Sequence, residues 1–333
     1  MNRTGSPVTT GRQSLDSSPA SNPGELRRRA IAESGSGDTI EFYSVPRSVE
    51  DHDCPPPEGC FLDGAYGRVF TLYRPPCPGI PCQGNLLYVH SFGEELNCSR
   101  EPIAMVARGL QKLGFGTLGL DCYGCGDSEG DIRDARWEIW ENNIQSGLEW
   151  LRRRSPLPVD LWGLRLGALL ALSSAARTTA GLRRIILWQP ILRGDTFIRS
   201  LQAGAGLRGA AGKEAVRDSQ PQIGRGEYLD LFGYHLSPEL VSAIGRQNLA
   251  SMWTGARVPV VWVAFVSDRN RDAPPAVTKV ISQWRSEGAA VTLRLIAARA
   301  FWTMPDTAGY LDDPGMYAKR NDAMVGQALG AFE

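Results

Sequence analysis

The sequence predicts an α/β protein: a mostly parallel, doubly wound sheet with an insertion that caps it. Three observations carry this expectation. Short apolar segments alternate with segments of helical periodicity from residue 85 onward. The apolar segments are near-continuous hydrophobic runs, as in strands covered on both faces. The alternation breaks once, over residues 191–254, which is too long for a simple crossover.

In order, residues 1–36 are rich in Ser, Gly, Pro, Thr and Arg without hydrophobic period, so a disordered tail is expected there. "GCFLDG" and "RVFTLYRPP" read as two strands, followed by the turn-rich "CPGIPCQG". "NLLYVH" (85–90) is a strand, 100–114 a helix that stops on Gly, and "FGTLGLD" (115–121) a strand. Residues 136–153 form a helix with a Trp and Leu face, and Trp137, Trp140 and Trp150 on it are read as core. A strand at 158–164 leads into an apolar helix at 166–177. Strands at 183–190, 258–266 and 290–297, with a helix at 274–288, complete the pattern. Residues 37–190 and 255–333 are thus assigned to one core, with 191–254 as a cap.

Composition narrows the function classes. The 36 basic residues equal the 36 acidic ones, so no net field favours nucleic acid or an anionic membrane surface. No segment reaches the roughly 20 apolar residues of a membrane helix, and the start lacks the apolar core of a signal peptide, so a cytoplasmic protein is expected. The seven cysteines are an odd number with no secretory context, which argues for free thiols. Cys122 and Cys125 form a C-x-x-C with no second pair at zinc spacing. Neither metal nor cofactor is called for, and oligomeric state is left open.

The turn joining 158–164 to 166–177 reads Gly163-Leu164-Arg165-Leu166-Gly167. Strand, G-x-S-x-G turn and helix form the nucleophile elbow of the α/β-hydrolase fold, which the order of elements also matches. Here the elbow residue is Arg165, which cannot lose its proton and cannot attack a carbonyl.

Beyond the fold, the chain resembles the exosortase-A-system-associated hydrolases of the second type, α/β-hydrolase-fold proteins that accompany exopolysaccharide and PEP-CTERM sorting loci in Gram-negative bacteria. "FLDGAYGRVFTLYRPP", "LLYVHSFGEELNCSR", "LDCYGCGDSEGD", "LWGLRLGALLAL", "LWQPILRG" and "GYHLSPEL" carry the resemblance over roughly residues 60–240. It implies that an elbow Arg is a mark of the family and that the ligand is a glycan or lipid-linked intermediate, or another small molecule. The long N-terminal tail and the extra cysteines depart from that pattern.

A serine hydrolase of this fold needs nucleophile, acid and histidine in that chain order. Asp268, after the strand at 258–266, holds the acid's place. The histidine is missing: the chain has three, His52, His90 and His235, and the last strand is followed by Ala300, Phe301 and Trp302. Cys122 and Cys125 lie on the loop after residues 115–121 that borders the site, where they read first as small residues packed in a turn and second as an activated thiolate. His90, Ser91 and Phe92 begin the loop that forms an oxyanion hole in hydrolases. Ser99 reads as a helix N-cap. Glu94, Glu95 and Asp268 are the carboxylates available to pair with Arg165, and a bidentate pair is expected. Tyr234 and His235 are expected to close over the pocket from the cap.

Two functions fit these residues. The first is an enzyme of altered chemistry (hydrolysis, acyl transfer or elimination) in which Arg165 binds or polarises the substrate and Glu95 or Asp268 is the base. The second is a pseudo-hydrolase that binds a ligand without turnover. The first is placed slightly ahead, because acid, oxyanion loop and cap all remain.

Overall fold

The computed structural model describes residues 29–33, 39–42, 54–209, 228–253, 258–268, 271–303 and 324–332. Two strands, β1 (Arg29–Glu33) and β2 (Thr39–Phe42), pair antiparallel, so part of the expected tail is a strand. The remaining N-terminal residues lie outside the described ones.

The core is an eight-stranded sheet. Its strands are β3 (Glu58–Gly64), β4 (Gly67–Arg74), β5 (Gly84–Val89), β6 (Phe115–Leu120), β7 (Val159–Leu164), β8 (Leu182–Trp188), β11 (Val260–Val266) and β12 (Val291–Ala297). Their order across the sheet is β12-β11-β8-β7-β5-β6-β4-β3. β3 and β4 pair antiparallel, β4 runs antiparallel to β6, and the other pairs are parallel. Strands β5 and β7 are buried at every position, which is why they read as unbroken apolar runs.

Helices cover both faces. On one side lie α2 (Trp137–Arg154), α3 (Leu166–Arg177) and α6 (Pro275–Ser286), packed on Leu87, Leu118, Leu161 and Trp262. On the other lie α1 (Glu94–Lys112) and the helical residues 324–329, packed on Leu86, Tyr88, Trp162 and Trp188. Trp162, Trp188, Trp262 and Trp284 are fully buried, each worth upward of about 1.5–3 kcal/mol of apolar burial. Trp137 and Trp140 are core; Trp150 is half-buried, its ring 5.1 Å from Tyr73.

Three sequence readings need correction. First, α1 begins at Glu94 and not at residue 100, because Glu94 and Glu95 occupy its first turn, where the helix dipole favours carboxylates. Second, Ser99 is therefore no N-cap. It is buried inside the helix and donates to the Leu96 carbonyl. Third, Cys54 and Cys77 are joined in a disulfide, their Cα atoms 4.6 Å apart, so the thiols are not all free. Cys60, Cys82, Cys98, Cys122 and Cys125 form no disulfide.

Residues 191–254 hold α4 (Gly194–Gly209), a small hairpin of β9 (Leu229–Leu231) and β10 (Tyr234–Leu236), and α5 (Pro238–Arg246). Residues 210–227 and 254 lie outside the described ones. Ser237 caps α5, its hydroxyl accepting the Leu240 N–H at 3.2 Å, with Pro238 in the first turn. Helices α4 and α5 meet where Gly194 touches the Ile244 carbonyl; a Cβ there would sit 1.7 Å from that oxygen. Among the described residues no helix is long and apolar enough to cross a membrane.

Candidate functional site

The site forms where β7 ends. Arg165 has φ 57° and ψ −115°, a strained elbow between strand and helix. The turn is possible because both flanking residues are Gly. A Cβ on Gly163 would lie 2.4 Å from the Gly167 carbonyl, and one on Gly167 would lie 2.2 Å from the Val89 carbonyl. The Arg165 N–H donates to the Trp188 carbonyl at 3.0 Å, which ties the elbow to β8.

Three groups hold the guanidinium. Nε and Nη2 both donate to Oε1 of Glu95, at 3.0 and 2.9 Å. Nη1 donates to the Gln189 carbonyl at 3.4 Å. The Trp302 ring lies beneath, its centroid 5.4 Å from Cζ, a cation–π contact. Glu95 is thus the carboxylate that meets Arg165, but the pair is not the expected two-oxygen fork. One oxygen takes both bonds, and the buried Oε2 has no partner among the described residues. Burial pushes the Glu95 carboxyl up from its ordinary value, and Arg165 opposes the shift. Glu94 is half-buried beside it, and the ion pair with Arg165 is made by Glu95.

Asp268 lies exposed after β11, its carbonyl accepting the Arg271 N–H at 3.2 Å. The ion pair of Arg165 is made with Glu95 rather than with Asp268.

His90 braces two loops. Its Nδ1–H donates to the Ser91 carbonyl, and its Nε2 accepts the Cys122 N–H at 3.1 Å. Both nitrogens are thereby engaged, and burial lowers the imidazole pKa, with Asp121 opposing. Such a histidine is neutral and has no nitrogen left to accept a proton from a nucleophile. Ser91 is buried with its hydroxyl 3.2 Å from that of Ser99. The Phe92 ring packs on Trp140 and Tyr234, with centroids 5.9 and 5.8 Å away.

The loop after β6 is built around Asp121, which accepts the Asp127 N–H at 3.0 Å and touches Gly126. Cys122 and Cys125 lie within it. Burial lifts both thiols, Cys125 to about 12, with Asp121 adding to the rise. Neither is the low-pKa thiolate that nucleophilic catalysis needs.

From the cap, Tyr234 reaches the site: its hydroxyl accepts from Asn97 Nδ2 at 3.4 Å, and its ring lies over Phe92. The β9–β10 hairpin therefore sits on the first turn of α1, which carries Glu95. His235, one residue on, points the other way, exposed and near Asp131. Alternation along a strand sends neighbours to opposite faces, which corrects the expectation that both would close the pocket.

Gln189 was not foreseen. It takes φ 40°, and its side-chain oxygen accepts the Phe265 N–H at 2.8 Å, so its carbonyl is held toward Arg165. Trp302 was noticed only as the residue where a histidine should be. Among the described residues no group of His, Cys, Asp and Glu has the arrangement of a metal site.

No family model and no curated protein sequence matches the chain. Solved structures do. Est1E from Butyrivibrio proteoclasticus, with ferulic acid bound, aligns with a TM-score of 0.53 at 17% identity, over 78% of this chain and 98% of that one. An α/β hydrolase from Vibrio vulnificus aligns with a TM-score of 0.50 at 15% identity, over 77% and 79%. The fold is that of the α/β hydrolases.

Proposed function

We propose that this chain is a hydrolase-fold protein that binds a small carboxylate-bearing ligand on Arg165 without hydrolysing it. One observation carries the reading: the elbow, where a hydrolase carries its nucleophile, presents a cation paired with Glu95 and packed on Trp302. A guanidinium with a single-oxygen partner exchanges that partner for a ligand carboxylate at modest cost. The incoming anion takes Nε and Nη2, the displaced Glu95 turns aside or takes up a proton, and Tyr234 closes over the occupant. Resemblance to the exosortase-associated proteins supports a glycan or lipid-linked ligand, and an acidic sugar unites that with the guanidinium.

Altered catalysis is the second reading. The unpartnered Oε2 of Glu95 and its raised carboxyl pKa favour it, since a buried carboxyl of that kind suits acid–base work.

Calorimetric titration with glucuronate and with glucose separates binding from its absence. Glucuronate is expected to bind and glucose not, with Arg165→Met weakening glucuronate about tenfold or more, the worth of a charged hydrogen bond. A panel of ester and thioester substrates run alongside is expected to show no turnover. Turnover that disappears in Glu95→Gln would replace the binding reading with the catalytic one.

A further inference from the structure

A cavity of 270 Å³ lies under α1, and Arg165 does not line it. Period-two alternation supplies its floor: Phe70, Leu72 and Arg74 of β4, with Thr117 and Gly119 of β6 beside them. One helical stripe of α1 supplies the roof, from Leu96 through Ile103 to Ala107.

The gap has a sequence cause. Ala104 and Ala107 on the roof and Thr117 and Gly119 on the floor are small where sheet and helix ordinarily fill the space with branched side chains. The slot follows β6 from Thr117 to Asp121, about 13 Å at a rise of ~3.3 Å per residue. It opens beside β4, where the lining residue Leu72 is 38% exposed. An apolar slot with few polar groups is the usual form of a small-molecule site.

Its charges are unbalanced. Arg74, half-buried in the wall, has no carboxylate partner among the described residues. The charged neighbour acting on it is Arg108 of α1, a like charge. Burial and Arg108 together lower its pKa, the mark of a guanidinium without a counter-ion. At the other end Arg100 faces Asp121 at 3.8 Å. Trp162, also in the lining, has a buried indole N–H with no acceptor among the described residues.

We propose that this slot binds an amphipathic anion, its unbranched apolar chain lying between α1 and the sheet and its carboxylate or phosphate head on Arg74. Unlike the reading at Arg165, this one asks for an apolar ligand and does not involve Glu95.

The full-length protein titrated with decanoate, decyl phosphate and decanol, followed by calorimetry and tryptophan fluorescence, tests it. Both anions are expected to bind about tenfold more tightly than the alcohol, and the tighter anion identifies the head group. Arg74→Gln is expected to reduce the anions to the level of decanol. Ala104→Phe fills the slot from the roof and is expected to abolish binding of all three. Gly119→Val fills it from the floor, where a Cβ meets only Tyr88, at 3.9 Å. The titrations are repeated in Arg165→Met, which removes the carboxylate site at the elbow, and both anions are expected still to bind the slot there. No anion binding to Arg165→Met, or anion binding to it that survives the addition of Arg74→Gln, would each overturn the proposal.

Discussion

Two acid–arginine clusters lie at opposite ends of β7, and they are built differently. At the start, Asp160 is fully buried and both its oxygens are used. Arg183 Nε and Nη2 reach one oxygen each at 2.7 and 2.6 Å, and Arg184 adds a bond at 3.0 Å. Arg183 also donates to the Gln83 carbonyl. At the far end, Glu95 gives Arg165 one oxygen and leaves the other bare. A carboxylate with both oxygens engaged and no exposure to solvent serves to hold strands together. The unsaturated one retains both a free acceptor and an accessible cation, which is what a ligand needs.

This contrast can be broken most forcefully at Asp160. Asp160→Asn leaves two guanidiniums around a neutral amide, and a loss of about 3–5 kcal/mol in chemical denaturation is expected. A loss under about 1 kcal/mol would mean that the saturated cluster is not structural. Arg165→Ser strands the Glu95 carboxylate in a partly open site, so about 1–3 kcal/mol is expected. The serine gains no ester hydrolysis, because both nitrogens of His90 are engaged elsewhere. Detectable esterase activity in that variant would show that a base is within reach after all. Combining Arg165→Met with Glu95→Gln should recover part of the loss, as expected when an unpaired charge was its source.

The smallest effects are in pH dependence, and their signs differ. His90 is held neutral below its ordinary 6.5, so the unfolded chain binds its proton more readily. Its contribution is complete above pH 6.5 and lost on acidification; His90→Gln should flatten urea stability between pH 5 and 7. Glu95 is raised above its ordinary 4.5, so the folded chain binds the proton more readily. Stability should therefore fall as pH rises past that value, and Glu95→Gln should remove the fall. Slopes of the same sign for both variants would contradict the environments described.

The sheet strands and the elbow were legible because burial on both faces writes itself into continuous apolar runs and because Gly163 and Gly167 are forced by backbone approach. The site was legible in kind but not in detail. Glu94, Glu95 and Asp268 are equivalent as letters, and only the path of α1 turns Glu95 toward Arg165. The start of α1 was hidden because Ser99 mimics a cap, although the helix is entered six positions earlier, at Gly93. The Cys54–Cys77 pairing depends on a distance that spacing does not encode. The slot under α1 was invisible, since Ala104, Ala107 and Gly119 look ordinary until they face one another.

The elbow itself has a consequence for how such a protein changes over time. Its left-handed residue and its two obligatory glycines are the costly part of a hydrolase, fixed by backbone contacts on three strands. Arg165, Trp302 and Glu95 are inserts into that frame, each replaceable by a single codon change. Chemistry on this scaffold is therefore the quickest trait to exchange and the turn beneath it the slowest. A lineage can switch between cutting a molecule and merely holding it while its architecture stays in place.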